Sequence, residues 1–227
     1  MKYGKSYALA QHVGKVFCAF PFKRKEREFL SSYIGRNRKV LDFGCGLGWL
    51  TAELQARHPT CTFFATDVND YALGWGRRHH PRIRFLAIDR LQEWEGTFDI
   101  VLCSHVLEHI EKPAGAVKTI ASLLREGGML VCAVPQERVR GDTTPGMLLL
   151  NLLKGELENP HLHNLTLKDM ARLFRGAGLR LKAHRYINLF PPYLAGKRKL
   201  TSYCLVAVGE KRGRLARPRR RPGERKP

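Results

Sequence analysis

Apolar residues in this chain gather in short continuous runs, and each run stops at glycine, aspartate, serine or proline. Val40 to Phe43, Cys61 to Thr66, Ile83 to Ile88, Phe98 to Cys103 and Met129 to Val134 are such runs. A strand that is apolar at successive positions, rather than at alternate ones, is covered on both faces, as in a parallel sheet. Helical patterns stand between the runs. One begins after Gly48. A second follows Asp67, capped by Asn69 or Asp70. A third opens at Lys112-Pro113, repeats Val117, Ile120, Ala121 and Leu124 on one face, and should stop at Gly127-Gly128. Thr166 with Asp169 three residues on marks a fourth helix, running through Phe174 to Gly176 and Gly178. Leu179–Tyr186 and Thr201–Val208 then read as two closing strands. Strand and helix in alternation predict an α/β domain with helices on both faces of the sheet.

The first run carries the chemistry. Val40-Leu41-Asp42-Phe43 ends in Gly44-Cys45-Gly46-Leu47-Gly48, and a helix starts at once. Glycines there serve a sharp turn, and they also let backbone lie against a ligand at a helix N-terminus. The second run ends at Asp67, about twenty residues on, where a carboxylate can accept from both hydroxyls of a ribose. A nucleoside ligand follows. Trp49 stands where G-x-G-x-x-G needs its third glycine, and there is no G-x-x-x-x-G-K-[ST] loop. Asp42, just inside the turn, can hold an ammonium group, which a dinucleotide lacks.

Leu41-Asp42-Phe43-Gly44-Cys45-Gly46-Leu47-Gly48 resembles the first motif of the class I S-adenosylmethionine-dependent methyltransferases, and Asp67 matches the second. Phe98 to Ile110 is similar to their fourth-strand motif, and Leu123 to Val131 to the segment leading into the fifth strand. The resemblance covers residues 38 to about 135. It implies a Rossmann-like sheet of seven strands, mostly parallel with an antiparallel last strand. S-adenosyl-L-methionine is the implied cofactor, bound by Asp42, Gly44, Cys45, Gly46, Gly48, Asp67, Val68, Asp89, Arg90 and Ser104. Asp89, after the third strand, would accept from the adenine amino group, with Arg90 and Leu91 beside the ring; the alternative is an ordinary strand-end aspartate.

For a hydroxyl acceptor a general base is required, and histidine has a suitable pKa. His105, His109 and His163 are the candidates. His105-Val106-Leu107-Glu108-His109 also fits the zinc pattern H-x-x-E-H, but it directly follows a buried strand, where the family places a cofactor and acceptor loop. The stretch is similar to the E-x-x-E-H of ubiquinone-type O-methyltransferases and of RNA 3′-end 2′-O-methyltransferases, where it is associated with a divalent ion. Here His105 replaces the first carboxylate, which weakens a hard-cation site, and no metal is expected. No Asn/Asp-Pro-Pro-Tyr/Phe signature or Pro-Cys pair follows the fourth strand, which counts against base-nitrogen and cytosine-C5 methylation.

Net charge is +20, and residues 211–227 hold nine Lys/Arg against one Glu. That balance suits an anionic partner, whether RNA or an anionic membrane surface. Six cysteines without a C-x-x-C pair fit a reduced, cytoplasmic setting. Apolar runs stay short of a membrane span, and His12 and Lys15 break up the apolar N-terminus. The expected organisation is an N-terminal helical cap over 1–37, including Tyr3 and Tyr7, a methyltransferase domain over 38–210, and a basic disordered tail over 211–227. Within the domain, 136–165 reads as an insert whose apolar stretch Met147 to Leu153 would form a lid or a dimer contact. O-methylation of a small or lipid-like acceptor is the expected reaction, with RNA methylation as the alternative.

Overall fold

A computed structural model describes residues 19–136 and 161–213. Tyr3, Tyr7, the apolar stretch 147–153 and the tail beyond residue 213 lie outside the described residues. The chain runs α1 (Pro21–Ser31), β1 (Lys39–Phe43), α2 (Trp49–Arg57), β2 (Thr62–Thr66), α3 (Asp70–His79) and β3 (Arg84–Leu86). A 3₁₀ turn over Ile88–Trp94 leads to β4 (Phe98–Ser104), and another over Leu107–His109 to α4 (Pro113–Leu123). β5 (Leu124–Pro135), α5 (Leu167–Gly176), β6 (Leu179–Asn188), β7 (Leu194–Ala195) and β8 (Ser202–Lys211) complete it.

The strands form one sheet in the order β3-β2-β1-β4-β5-β8-β6-β7. β1 pairs in parallel with both β2 and β4, β2 with β3, and β4 with β5, whereas β8 is antiparallel to β5 and to β6. The apolar runs now have their reason. Val40, Phe63, Ile100, Leu102, Val131 and Val206 share one core with Leu30 of α1 and Leu54 of α2. The intervening residues Leu41, Phe64, Val101, Leu130 and Leu205 share the other with Val117 and Ile120 of α4 and Phe174 of α5. Side chains alternate across a strand, so a sheet covered on both faces must be apolar at every position. Asn69 caps α3 by accepting from the N–H groups of Tyr71 and Ala72, and Thr166 and Asp169 close a capping box on α5.

Three expectations change. The sheet gains an eighth strand, the two-residue β7 on the edge. α4 stops at Leu123, and Gly127-Gly128 lie inside β5 rather than at a helix end. A Cβ on Gly128 would stand 2.9 Å from the Arg125 carbonyl and 3.0 and 3.1 Å from those of Phe98 and Asp99. Close backbone approach at the β4–β5 bulge demands that glycine, not a helix C-cap. Finally, β3 ends at Leu86, because the chain enters the 3₁₀ turn at Ile88.

Candidate active site

β1 has neighbours on either side whose connections leave in opposite directions, so a crevice opens where its carboxyl end meets that of β4. The glycine turn fills its floor. Gly44, Gly46 and Gly48 all have positive φ, at 81°, 54° and 82°. The N–H groups of Gly44 and Cys45 both donate to the Thr66 carbonyl, at 2.8 and 3.0 Å, which ties the turn to β2. Val106, beyond β4, lies across Gly44: a Cβ there would clash with both valine methyls. Segment 104–109 is thereby held directly over the turn.

Two carboxylates converge on this turn. Asp67 accepts from the N–H groups of Gly46 (2.7 Å) and Asn69 (2.9 Å). Asp42 is buried and accepts from the Thr51 hydroxyl at 2.6 Å. Burial, with the charge of Asp67 added, pushes Asp42 from 3.8 up to about 6 against the pull of Thr51. Burial first, then Asp42 and Asp67, also raises the half-buried Cys45 thiol. Neither aspartate has a cationic partner among the described residues. A ligand bringing an ammonium group to Asp42 would supply the missing charge, which is the fit an amino-acid tail offers.

Next to Asp67, Val68 and Ile88 expose 62% and 37% of their surface. Thr66 of β2 is level with Leu86 of β3, so two residues on, Val68 and Ile88 leave adjacent strands at one height. Apolar walls with the exposed carboxylate of Asp89 at hand suit a purine ring with an exocyclic amine. Ser104 closes β4, level with Ala133. Arg90 pairs its guanidinium with Glu93 at 2.7 and 2.8 Å, and Leu91 is buried in the core. The 3₁₀ turn also presents the exposed Ile88.

The histidines separate. His105, at φ 56°, puts Nε2 3.0 Å from Glu26 Oε1, 3.4 Å from Lys23 Nζ and 3.4 Å from the Tyr203 hydroxyl. Its Nδ1 stands 3.5 Å from Glu108 Oε1. Burial and the Lys23 cation work against a charged imidazole there, but Tyr203 and Glu26, with a bond to Cys204, outweigh them and raise its pKa well above the usual value. Burial likewise opposes charge on Lys23 and Glu26, and their mutual attraction, 3.1 Å apart, overrides it in both. His163 turns Nε2 to the Glu111 carbonyl at 3.2 Å. It is His161 that joins His109, with ring centroids 4.8 Å apart, because the N–H groups of Leu162 and His163 both bond to the Glu108 carbonyl. Glu108, His109 and His161 offer ligand atoms within 4.8 Å of one another, and this trio is where a cation would find a carboxylate and two imidazoles.

Thr51, Ile88, His161, Lys23, Glu26 and Tyr203 carry no motif that would have announced them. Thr51 could have been suspected as the first polar residue on the helix that opens beside Asp42. Tyr203 is 98 residues from His105, and only the sheet joins them.

The sequence matches the family described as "Methyltransferase domain" over residues 17–184. The ubiquinone biosynthesis O-methyltransferase of Acinetobacter baumannii is 30% identical over 157 residues, 64% of this chain and 65% of that one. The malonyl-[acyl-carrier protein] O-methyltransferase of Halalkalibacterium halodurans is 30% identical over 102 residues, 41% of this chain. The chain thus spans 38% and 65% of these relatives' own lengths. Among solved structures, the 1,6-didemethyltoxoflavin-N1-methyltransferase of Burkholderia thailandensis, which holds S-adenosylhomocysteine, superposes with a TM-score of 0.63 at 21% identity, covering 92% of this chain and 87% of that one. With the glycine turn, the paired carboxylates and a match over most of its length, this chain belongs to the family described as "Methyltransferase domain".

Proposed function

We propose that this protein transfers a methyl group to an oxygen of a small or lipid-like acceptor, with His109 as the general base. The carrying observation is the clasp of Val106 on Gly44, which sets the 104–109 segment over the cofactor turn. The names of the curated relatives, both O-methyltransferases, support the choice of oxygen. The cofactor, when bound, supplies a methyl group already activated on a sulfonium. What remains for the protein is to hold, to orient and to take a proton. Asp42 would hold the amino-acid end and Asp67 the ribose, while Val68 and Ile88 flank the purine and Asp89 accepts from its amine. Gly44, Cys45, Gly46 and Gly48 let the backbone approach, and Ser104 borders the acceptor side. His105 has Nε2 beside Glu26, Tyr203 and Lys23 and Nδ1 near Glu108, and its pKa is raised above the usual value, which suits orienting rather than accepting. His163 is engaged with a backbone carbonyl. His109, on the segment set over the turn and with its ring beside that of His161, is the histidine we assign to the proton.

His109→Gln should therefore lower kcat by roughly 10²-fold or more with little change in cofactor affinity, while His163→Gln should leave kcat within a few-fold. Equal kcat for wild type and His109→Gln would remove the assignment. RNA methylation remains the second reading, favoured by the +20 charge. Labelled cofactor with separated lipid and RNA pools decides between them, since label entering RNA alone would overturn the lipid-like acceptor.

A further inference from the structure

β6 and β8 are joined by residues 189–201, which include the short edge strand β7. β8 runs antiparallel to both β5 and β6, so β6 points the same way as β1 to β5. The connection therefore emerges at the carboxyl edge of the sheet, on the rim that carries the glycine turn and His105. Tyr203, just beyond it, already contacts His105.

This rim segment is unusually apolar for a surface. Leu200 is 88% exposed, Phe190 66%, Leu194 42% and Leu189 36%. Lys197, Arg198 and Lys199 stand exposed among them, Arg198 beside Tyr186. Single exposed apolar residues need no explanation, but four on one connection beside three cations do. Three of the four are aliphatic, so they offer a nucleobase nothing to stack on. Leucine and phenylalanine entering acyl chains, while lysine stems reach back to phosphates, is how a protein rests on a bilayer. The charge complements an anionic leaflet.

We propose that residues 189–200 dock this protein onto an anionic phospholipid bilayer, with the mouth of its active site turned to the lipid. The idea deepens the lipid-like acceptor reading and rests on it for its purpose, but the docking itself stands on the surface alone.

The test is co-sedimentation of the full chain with phosphatidylcholine vesicles, with and without about one-third phosphatidylglycerol. Wild type should sediment with the anionic vesicles only. Lys197→Gln/Lys199→Gln should bind about thirtyfold more weakly, at ~1 kcal/mol for each lysine near the surface. Phe190→Ser/Leu200→Ser should lose at least about tenfold, given what each apolar side chain gains on leaving water. Both double variants should bind S-adenosylhomocysteine as wild type does, which shows the fold intact. Full vesicle binding by the apolar variant would overturn the proposal, because attachment would then run through charge alone, as the basic tail could provide. Wild type that ignores anionic vesicles, or that binds RNA in their place, would overturn it too. Vesicle binding without any methylated lipid would retire the acceptor class and leave the docking standing.

Discussion

Asp42→Asn should change stability and cofactor affinity in opposite directions. In the free protein Asp42 is buried, has no cationic partner among the described residues, and sits beside the negative Asp67, so its pKa rises from 3.8 to about 6. At pH 8 that gap corresponds to roughly 3 kcal/mol against the folded state. The sign follows from proton counts. Between pH 4 and 6 the folded protein keeps a proton that the unfolded chain has lost, so this group's contribution to stability falls as pH rises and is flat above. Asparagine keeps an oxygen for the Thr51 hydroxyl and carries no charge, so the variant should gain about 2–3 kcal/mol at pH 8 and about half that at pH 5. The carboxylate is nonetheless the group available to an ammonium. Losing a charge-assisted bond of about 1.5–3 kcal/mol should weaken S-adenosylhomocysteine binding by ten- to a hundredfold. Urea unfolding at the two pH values, with calorimetry at pH 8, reads both effects. A variant less stable than wild type at pH 8, or one binding the ligand undiminished, would refute the reasoning.

Gly44→Ala forces a side chain onto a φ of 81° and against Val106, and should cost about 2–4 kcal/mol by urea unfolding, with only partial recovery in the double variant Gly44→Ala/Val106→Ala, where the clash is gone and the backbone strain stays. Glu26→Gln leaves Lys23 and His105 facing each other without their shared carboxylate and should cost about 3–5 kcal/mol; if unfolding shows less than about 1 kcal/mol, the cluster is not a structural ion network. The same variant should lower the His105 pKa, read by the shift of its ring proton resonances with pH. Dialysis against a chelator should leave turnover intact, whereas added zinc should inhibit by taking the lone pair His109 needs, and zinc activation would refute His109 as base.

How far the sequence could be read depended on distance along the chain. The strand runs other than the third, the Asn69 cap and the Thr166–Asp169 box depend on neighbours within a few residues, and they stand where the pattern put them. Gly127-Gly128 misled because a glycine pair after a helix has two explanations. Only the β4 carbonyls at about 3 Å show that close approach, not helix termination, required it. Asp42 and Asp67 were legible because each ends a strand in a parallel sheet, and β1 and β2 are in register through Phe43 and Thr66. The raised pKa of Asp42 was not legible, since it arises from burial and from the neighbouring charge of Asp67 against the pull of Thr51.

His105 shows where a local motif ran out. Read alone, a histidine at the first position of the E-x-x-E-H pattern looked like a lost carboxylate. In the fold that position lies between two carboxylates already present, Glu26 at 3.0 Å and Glu108 at 3.5 Å. A third negative group between them would add repulsion in a buried setting, where like charges cost most. An imidazole stands between them instead. It reaches both only because the chain leaves β4 with a positive φ at His105, a strain of about 1–3 kcal/mol that the surrounding bonds must offset. The Glu26 that makes sense of this histidine lies 79 residues upstream, on a helix with no motif of its own. The departure at His105 and the acidic residue on α1 therefore meet in one contact, which ties that helix to the rim of the candidate site.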